Sequence, residues 1–155
     1  MIVMSASHPF DFRDCFNLSP SAQAVLDRAG HILAINHQAC EDLGHAQQAL
    51  LGVRLVDLVH ADDQERVRHA IQNGAKLHQA IAVECRVESP KAGLRWFSVQ
   101  SVPRFRESQI DAWYTVFADI TDRKKHDAWL SQRNALLTAL SHNLPGMIYV
   151  FRPGP

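Results

Sequence analysis

The stretch VFADITDRKKHDAWL, Val116 to Leu130, changes character halfway along. It begins as an apolar, strand-like run and ends as a basic and then amphipathic, helix-like run. The change falls at Asp119-Ile120-Thr121. Asp119 stands four residues before Arg123, within reach of an ion pair across the junction, and Thr121 is suited to cap a helix beginning at Asp122. A strand that passes this abruptly into a helix marks one limit of a folded unit, so the chain is read outward from it.

Ile110 to Ala118 forms the last strand, preceded by the polar RFRESQ. Before that, LRWFSVQSV reads as a strand that Pro103 should limit. From Gln79 the period is two: Ile81, Val83, Cys85 and Val87 alternate with Ala82, Glu84, Arg86 and Glu88, as in a half-buried strand. Ser89-Pro90-Lys91-Ala92-Gly93 supplies the turn between them. Further upstream lies a helix with Asp62 or Asp63 as its N-cap, Val67, Ala70 and Ile71 at helical spacing, and Gly74 at its end. HAQQALLG ends at Gly52, and HQACEDLG runs from a capping Asn36 to a left-handed Gly44. QAVLDRAGHILAIN gives two short strands around a turn at Asp27-Arg28-Ala29-Gly30. Residues 1–18 place Phe10, Phe12 and Phe16 on a short helix or arm. Two strands, a block of short helices and a three-strand meander predict an α+β fold: one antiparallel sheet of about five strands with helices on one face.

Bulk properties narrow the function. The chain has 155 residues, room for one domain and an appendage, and at that size a folded chain buries roughly two-thirds of its unfolded surface. Sixteen basic residues balance sixteen acidic ones, so charge makes no case for nucleic acid or membrane partners. Three widely spaced cysteines without a C-x-x-C read as reduced thiols of a cytoplasmic protein, not a disulfide framework or metal site. No apolar span approaches the ~20 residues of a membrane helix. No nucleophile elbow, phosphate-cradling glycine loop or paired-histidine metal motif is present, so catalysis and metal binding have no residues behind them.

Asp27 to Gly30 before HILAIN, the LGH at Gly44, LLG at Leu50 to Gly52, VHADD at Val59 to Asp63, VECRV, RWFSV and finally ADITDRKK succeed one another in a set order. This series resembles a PAS domain, the sensory module of bacterial signalling proteins such as sensor histidine kinases and diguanylate cyclases. The likeness spans roughly Ser19 to Lys125, with Ala61 standing where the family usually has proline. It implies a PAS fold over 19–120, an arm before it, an output helix over 121–143 and, in NLPGMIYVF, the start of a second PAS domain over 144–155. Ser141-His142 does not open a kinase phosphoacceptor box, because Asn143-Leu144-Pro145-Gly146 stands in place of the acidic residue and the Arg-Thr-Pro-like run that such a box needs.

The resemblance also implies a role for Asp119, Thr121 and Arg123: passing a change in the sheet to the output helix. Leu130, Leu137 and Leu140 on that helix fit a short heptad seam between two copies, a homodimer. A small-molecule cavity between helices and sheet would be lined by Ile35, Leu43, Leu55, Leu58, Val67 and Ile71 on the helical side, and by Val83, Cys85, Phe97, Val99, Tyr114 and Val116 on the sheet. A filled core fits these residue types equally well. Which of Trp96, Phe97, Trp113 and Tyr114 point inward stays open. Leu55 stands where flavin photosensors of the family carry their reactive cysteine, which argues against a flavin adduct. His69 should face solvent on its helix, which argues against haem, and the family's haem-ligand position falls nearer Asp63. A small organic ligand remains the cofactor expectation, with an effector beyond the output helix in the full-length protein. The alternative is a ligand-free dimerisation or interaction module; a haem-based redox or gas sensor is a weaker third reading.

Overall fold

A computed structural model describes residues 11–142, so the expected second-domain start at 144–155 and Phe10 lie outside the described residues. The described chain divides into two units at Thr121–Asp122. In the first, α1 (Phe12–Leu18), β1 (Ala22–Asp27), β2 (Ile32–Ile35), α2 (His37–Leu43), α3 (Gln47–Leu50), a 3-10 turn (Leu55–Leu58) and α4 (Ala61–Leu77) precede β3 (Ile81–Ser89), β4 (Gly93–Arg106) and β5 (Gln109–Asp119). The strands form one antiparallel sheet in the order β2-β1-β5-β4-β3. Helix α5 (Thr121–His142) begins at the boundary and fills the described part of the second unit.

The core lies between the helices and one face of the sheet. Ala24, Leu26 and Ile32 from β1 and β2, Leu43 and Val67 from the helices, and Phe97 and Phe117 from β4 and β5 are all buried there. This burial is what holds the two layers together, at about 25 cal/mol per Å² of apolar surface. Asn36 caps α2 through Ala39, and Gly44 ends it in the left-handed region, as the sequence indicates.

The helix over residues 61–77 departs from expectation at both ends. Its N-cap is His60, whose ring accepts from the Asp62 N–H, so Asp62 and Asp63 sit in the first turn. The helix does not stop at Gly74 but runs to Leu77, with His78 left-handed at its end. Gly74 serves packing: a Cβ there would come 2.8 Å from Ile81 Cδ1, so glycine is what lets α4 lie against β3.

Pro103 does not limit β4, which continues to Arg106. The pairing with β3 ends at Ile81–Ser101, so beyond that point β4 has a neighbour only in β5 and a missing N–H costs no ladder bond. The β4–β5 turn is Glu107-Ser108, both with positive φ, the two-residue geometry that matches sheet twist.

Candidate functional site

Two features of the first unit bear on function, a cavity in the core and the end of β5. The cavity is lined by Leu26 and Gly30, by Leu55 from the 3-10 turn, and by Val67 and Ile71 from α4. The sheet contributes Ile81, Val83, Val99, Ser101 and Trp113. It holds about 20 Å³, roughly the room one water needs. Its polar lining residue is Ser101 on β4, whose Oγ lies 2.8 Å from the buried Thr115 Oγ1 facing it on β5.

Leu55, Val67, Ile71, Val83 and Val99 therefore line the cavity as the sequence suggests. Ile35, Leu43, Cys85 and Phe97 are buried in the core away from it, and Leu58 is partly buried against that core. Tyr114 and Val116 are a correction. They are exposed on the opposite face of the sheet, while Trp113, Thr115 and Phe117 point inward. The row with the hydroxyl is the inner one, and this concealed it: Thr115 reads as a solvent residue until Ser101 is placed opposite. Phe97 and Trp113 both point inward, and Trp96 lies partly exposed under Arg86, whose guanidinium carbon is 5.4 Å from the ring centroid.

Asp63 also changes role. It is buried, and its carboxylate accepts from the Arg86 backbone N–H at 2.9 Å, from Arg86 Nε at 2.9 Å and from Arg86 Nη2 at 3.0 Å. Arg66 adds a contact at 3.1 Å. The Arg86 hydrogen bonds hold the carboxyl far below the usual carboxylate range, against the opposing effect of burial. The pair ties the first turn of α4 to the edge of β3, where the His60 N–H also donates to the Arg86 carbonyl. Beside it, burial and then the Asp63 charge push the Cys85 thiol up to about 11, which keeps it protonated and inert. His69 is exposed, its Nδ1 3.2 Å from the Asn73 amide nitrogen. Among the described residues no cluster of three or more His, Cys, Asp or Glu has metal-binding geometry, and no helix is long and apolar enough to cross a membrane.

The end of β5 is held to β4 through both backbone groups of one residue, Trp96. The Ile120 N–H donates to the Trp96 carbonyl at 2.8 Å, and the Trp96 N–H donates to Thr121 Oγ1 at 2.9 Å. The Thr121 N–H in turn donates to Asp119 Oδ1 at 2.9 Å. Asp119 pairs with Arg95 on β4, a partner the sequence spacing does not indicate. Burial raises the Asp119 pKa, but the hydrogen bonds from Thr121 and the Arg95 charge outweigh it and leave the carboxyl below its ordinary value. The Thr121 hydroxyl is engaged with β4, and Thr121 is itself the first residue of α5. Arg95 and Trp96, which complete this clamp, were not legible as partners, because nothing local in RWFSV indicates that its backbone meets residues 25 positions on.

Comparison with known proteins agrees with this architecture. The family described as the PAS fold matches residues 16–125. An uncharacterized Sinorhizobium fredii protein, y4lL, is 27% identical over 139 residues; the match covers 89% of this chain but only 17% of that relative's length. Among solved structures, the PAS domain of a Colwellia psychrerythraea protein superposes with a TM-score of 0.65 at 20% identity, over 71% of this chain and 94% of the other. The PAS domain of a LuxR-family transcriptional regulator from Burkholderia thailandensis, solved in complex with ethanol, gives a TM-score of 0.60 at 19% identity, over 72% of this chain and 98% of that one. With the sheet, the helical layer and the family match over most of its length in agreement, the chain belongs to the PAS-fold family.

Proposed function

We propose that this domain is a sensory module of a larger cytoplasmic signalling protein, binding a small molecule in its core and passing its state through Asp119-Ile120-Thr121 to α5. PAS domains are generally sensory or regulatory modules rather than catalysts. The observation that carries the proposal is the clamp at Trp96. A junction hydrogen-bonded to β4 on both sides of one residue moves with the sheet, so a small shift of β4 and β5 becomes a shift of the helix start. Ser101 supports a ligand, because a buried hydroxyl bonded once to Thr115 keeps spare hydrogen-bonding capacity in the wall of an apolar space. The Burkholderia domain, a different protein with the same fold, was solved with a small organic molecule, ethanol.

On α5, Trp129, Leu130, Leu136, Leu137 and Leu140 are exposed. In the proposal a second copy covers Leu130, Leu137 and Leu140 in a parallel pair of helices. The effector in the full-length protein is of the class that PAS domains regulate, such as a histidine kinase or a cyclic-di-GMP enzyme.

A second reading is favoured by one number: about 20 Å³ of cavity is close to a filled core, which suits a ligand-free interaction module. Native mass spectrometry of the protein purified gently from cells separates the two. The sensor reading predicts a dimer retaining one small molecule per chain. A bare dimer supports the interaction module, and a bare monomer overturns the α5 seam. In the full-length protein, Asp119→Ala should leave folding intact and abolish the response to signal; an unchanged response contradicts the coupling role.

A further inference from the structure

We propose that Trp113 is the door of the core cavity, and that the site it opens takes a small amphipathic carboxylate, with its apolar body inside and its acid group at Arg28. The proposal rests on the small-molecule reading above and names the entry path and ligand class.

Trp113 is buried, yet it is shared by two spaces. It lines the 20 Å³ core cavity. It also lines an open cleft of about 320 Å³, whose other walls include Arg28, Ala75, His78 and Gln109. The cavity alone is too small for any ligand larger than water, so occupancy requires a side chain to yield. Among the residues lining both spaces Trp113 is the common one, and an indole swung toward the cleft would vacate the largest single volume available. The cleft's rim is built from chain ends and turns: Arg28 from the β1–β2 turn, His78 from the left-handed end of α4, and Ser108 from the β4–β5 turn. Such segments open at less cost than the sheet behind them.

The chemistry of the two spaces differs, which sets the ligand class. Leu26, Val67 and Ile71 make the interior apolar, with Ser101, bonded to Thr115 behind it, as its polar lining residue. The cleft is polar, and Arg28 is its cation. No carboxylate is among the described residues that line it, and neighbouring Asp27 is turned to His31, 3.0 Å from the ring nitrogen, instead of neutralising Arg28. A guanidinium at the mouth of an apolar cavity recognises a carboxylate on an apolar tail.

The test is an NMR titration of the full chain with octanoate, and with octanol as its neutral counterpart, tracking the three indole N–H signals and the valine and isoleucine methyls. The proposal predicts that octanoate shifts the Trp113 indole together with Val67 and Ile71 and saturates. It also predicts that Arg28→Gln weakens octanoate at least tenfold while leaving octanol unchanged. Octanoate binding equally to wild type and Arg28→Gln overturns the headgroup assignment, and shifts confined to surface residues overturn the entry path. Trp113→Leu, with folding checked by the dispersion of the same spectra, separates the two levels of the argument. If it binds octanol in the core while wild type binds neither probe, the door is overturned and the sensor reading stands. If neither protein binds either probe, the door and the ligand class both fail, and the sensor reading is left to the mass spectrum. The wild-type and Arg28→Gln arms decide the proposal even if Trp113→Leu does not fold.

Discussion

Asn36 makes four hydrogen bonds from a fully buried position. Its Oδ1 accepts from the Gln23 N–H at 2.9 Å and the Ala39 N–H at 3.0 Å, and its Nδ2 donates to the Phe16 and Ser21 carbonyls at 3.0 and 2.8 Å. Those are all the bonds an amide can make, and they join α1, β1 and α2 at one point. Asn36→Ala would strand these buried groups and should destabilise the fold by about 3 kcal/mol, read from a urea transition. The sequence shows the capping half of this role and not the α1 half, because a contact 20 residues distant has no local signature. Asp63 is similar. The pattern puts an acid at a helix start, where an acid is ordinary, and only the fold brings it to Arg86. Because its folded pKa is depressed, the stability it contributes is complete above the usual 3.8 and lost as pH falls below that value. Asp63→Asn should therefore destabilise the protein at pH 7 and differ less from wild type at pH 3. An equal difference at both pH values would contradict the ion pair.

At the scale of elements, the β4–β5 hairpin explains both what was legible and what was not. Strand positions, turns and the left-handed glycines could be read from period and residue type. The face of β5 could not, because a bulge between Arg104 and Phe105 shifts the register by one residue. A register carried straight from the Glu107-Ser108 turn would set Val99 opposite Val116 and Ser101 opposite Tyr114. The observed partners are Phe117 and Thr115. A one-residue slip sends every side chain of a strand to the other face, which is why Tyr114 and Val116 are expected in the cavity from sequence and found outside it. The turn itself carries two non-glycine residues at positive φ, Glu107 at 50° and Ser108 at 64°. Glu107→Asn combined with Ser108→Gly should relax this and stabilise the protein by about 1 kcal/mol, seen as a higher urea midpoint with unchanged slope.

At the scale of the whole molecule, the fold class and the order of elements could be read from the chain because each segment's local pattern agrees with its place in the sheet. The cavity could be read only in part and the clamp not at all, since both are made where distant segments meet. The proposed coupling depends most on the clamp: a sensor whose last strand and output helix were loosely joined would have no way to report. Amide hydrogen exchange at Trp96, Ile120 and Thr121 tests this directly, in wild type and in Arg95→Gln. In the wild type these amides should be as protected as those at the centre of β4 and β5. In Arg95→Gln protection at the three should fall at least tenfold while the sheet centre is unchanged. Rapid wild-type exchange at these amides, as at a frayed strand end, would contradict the account.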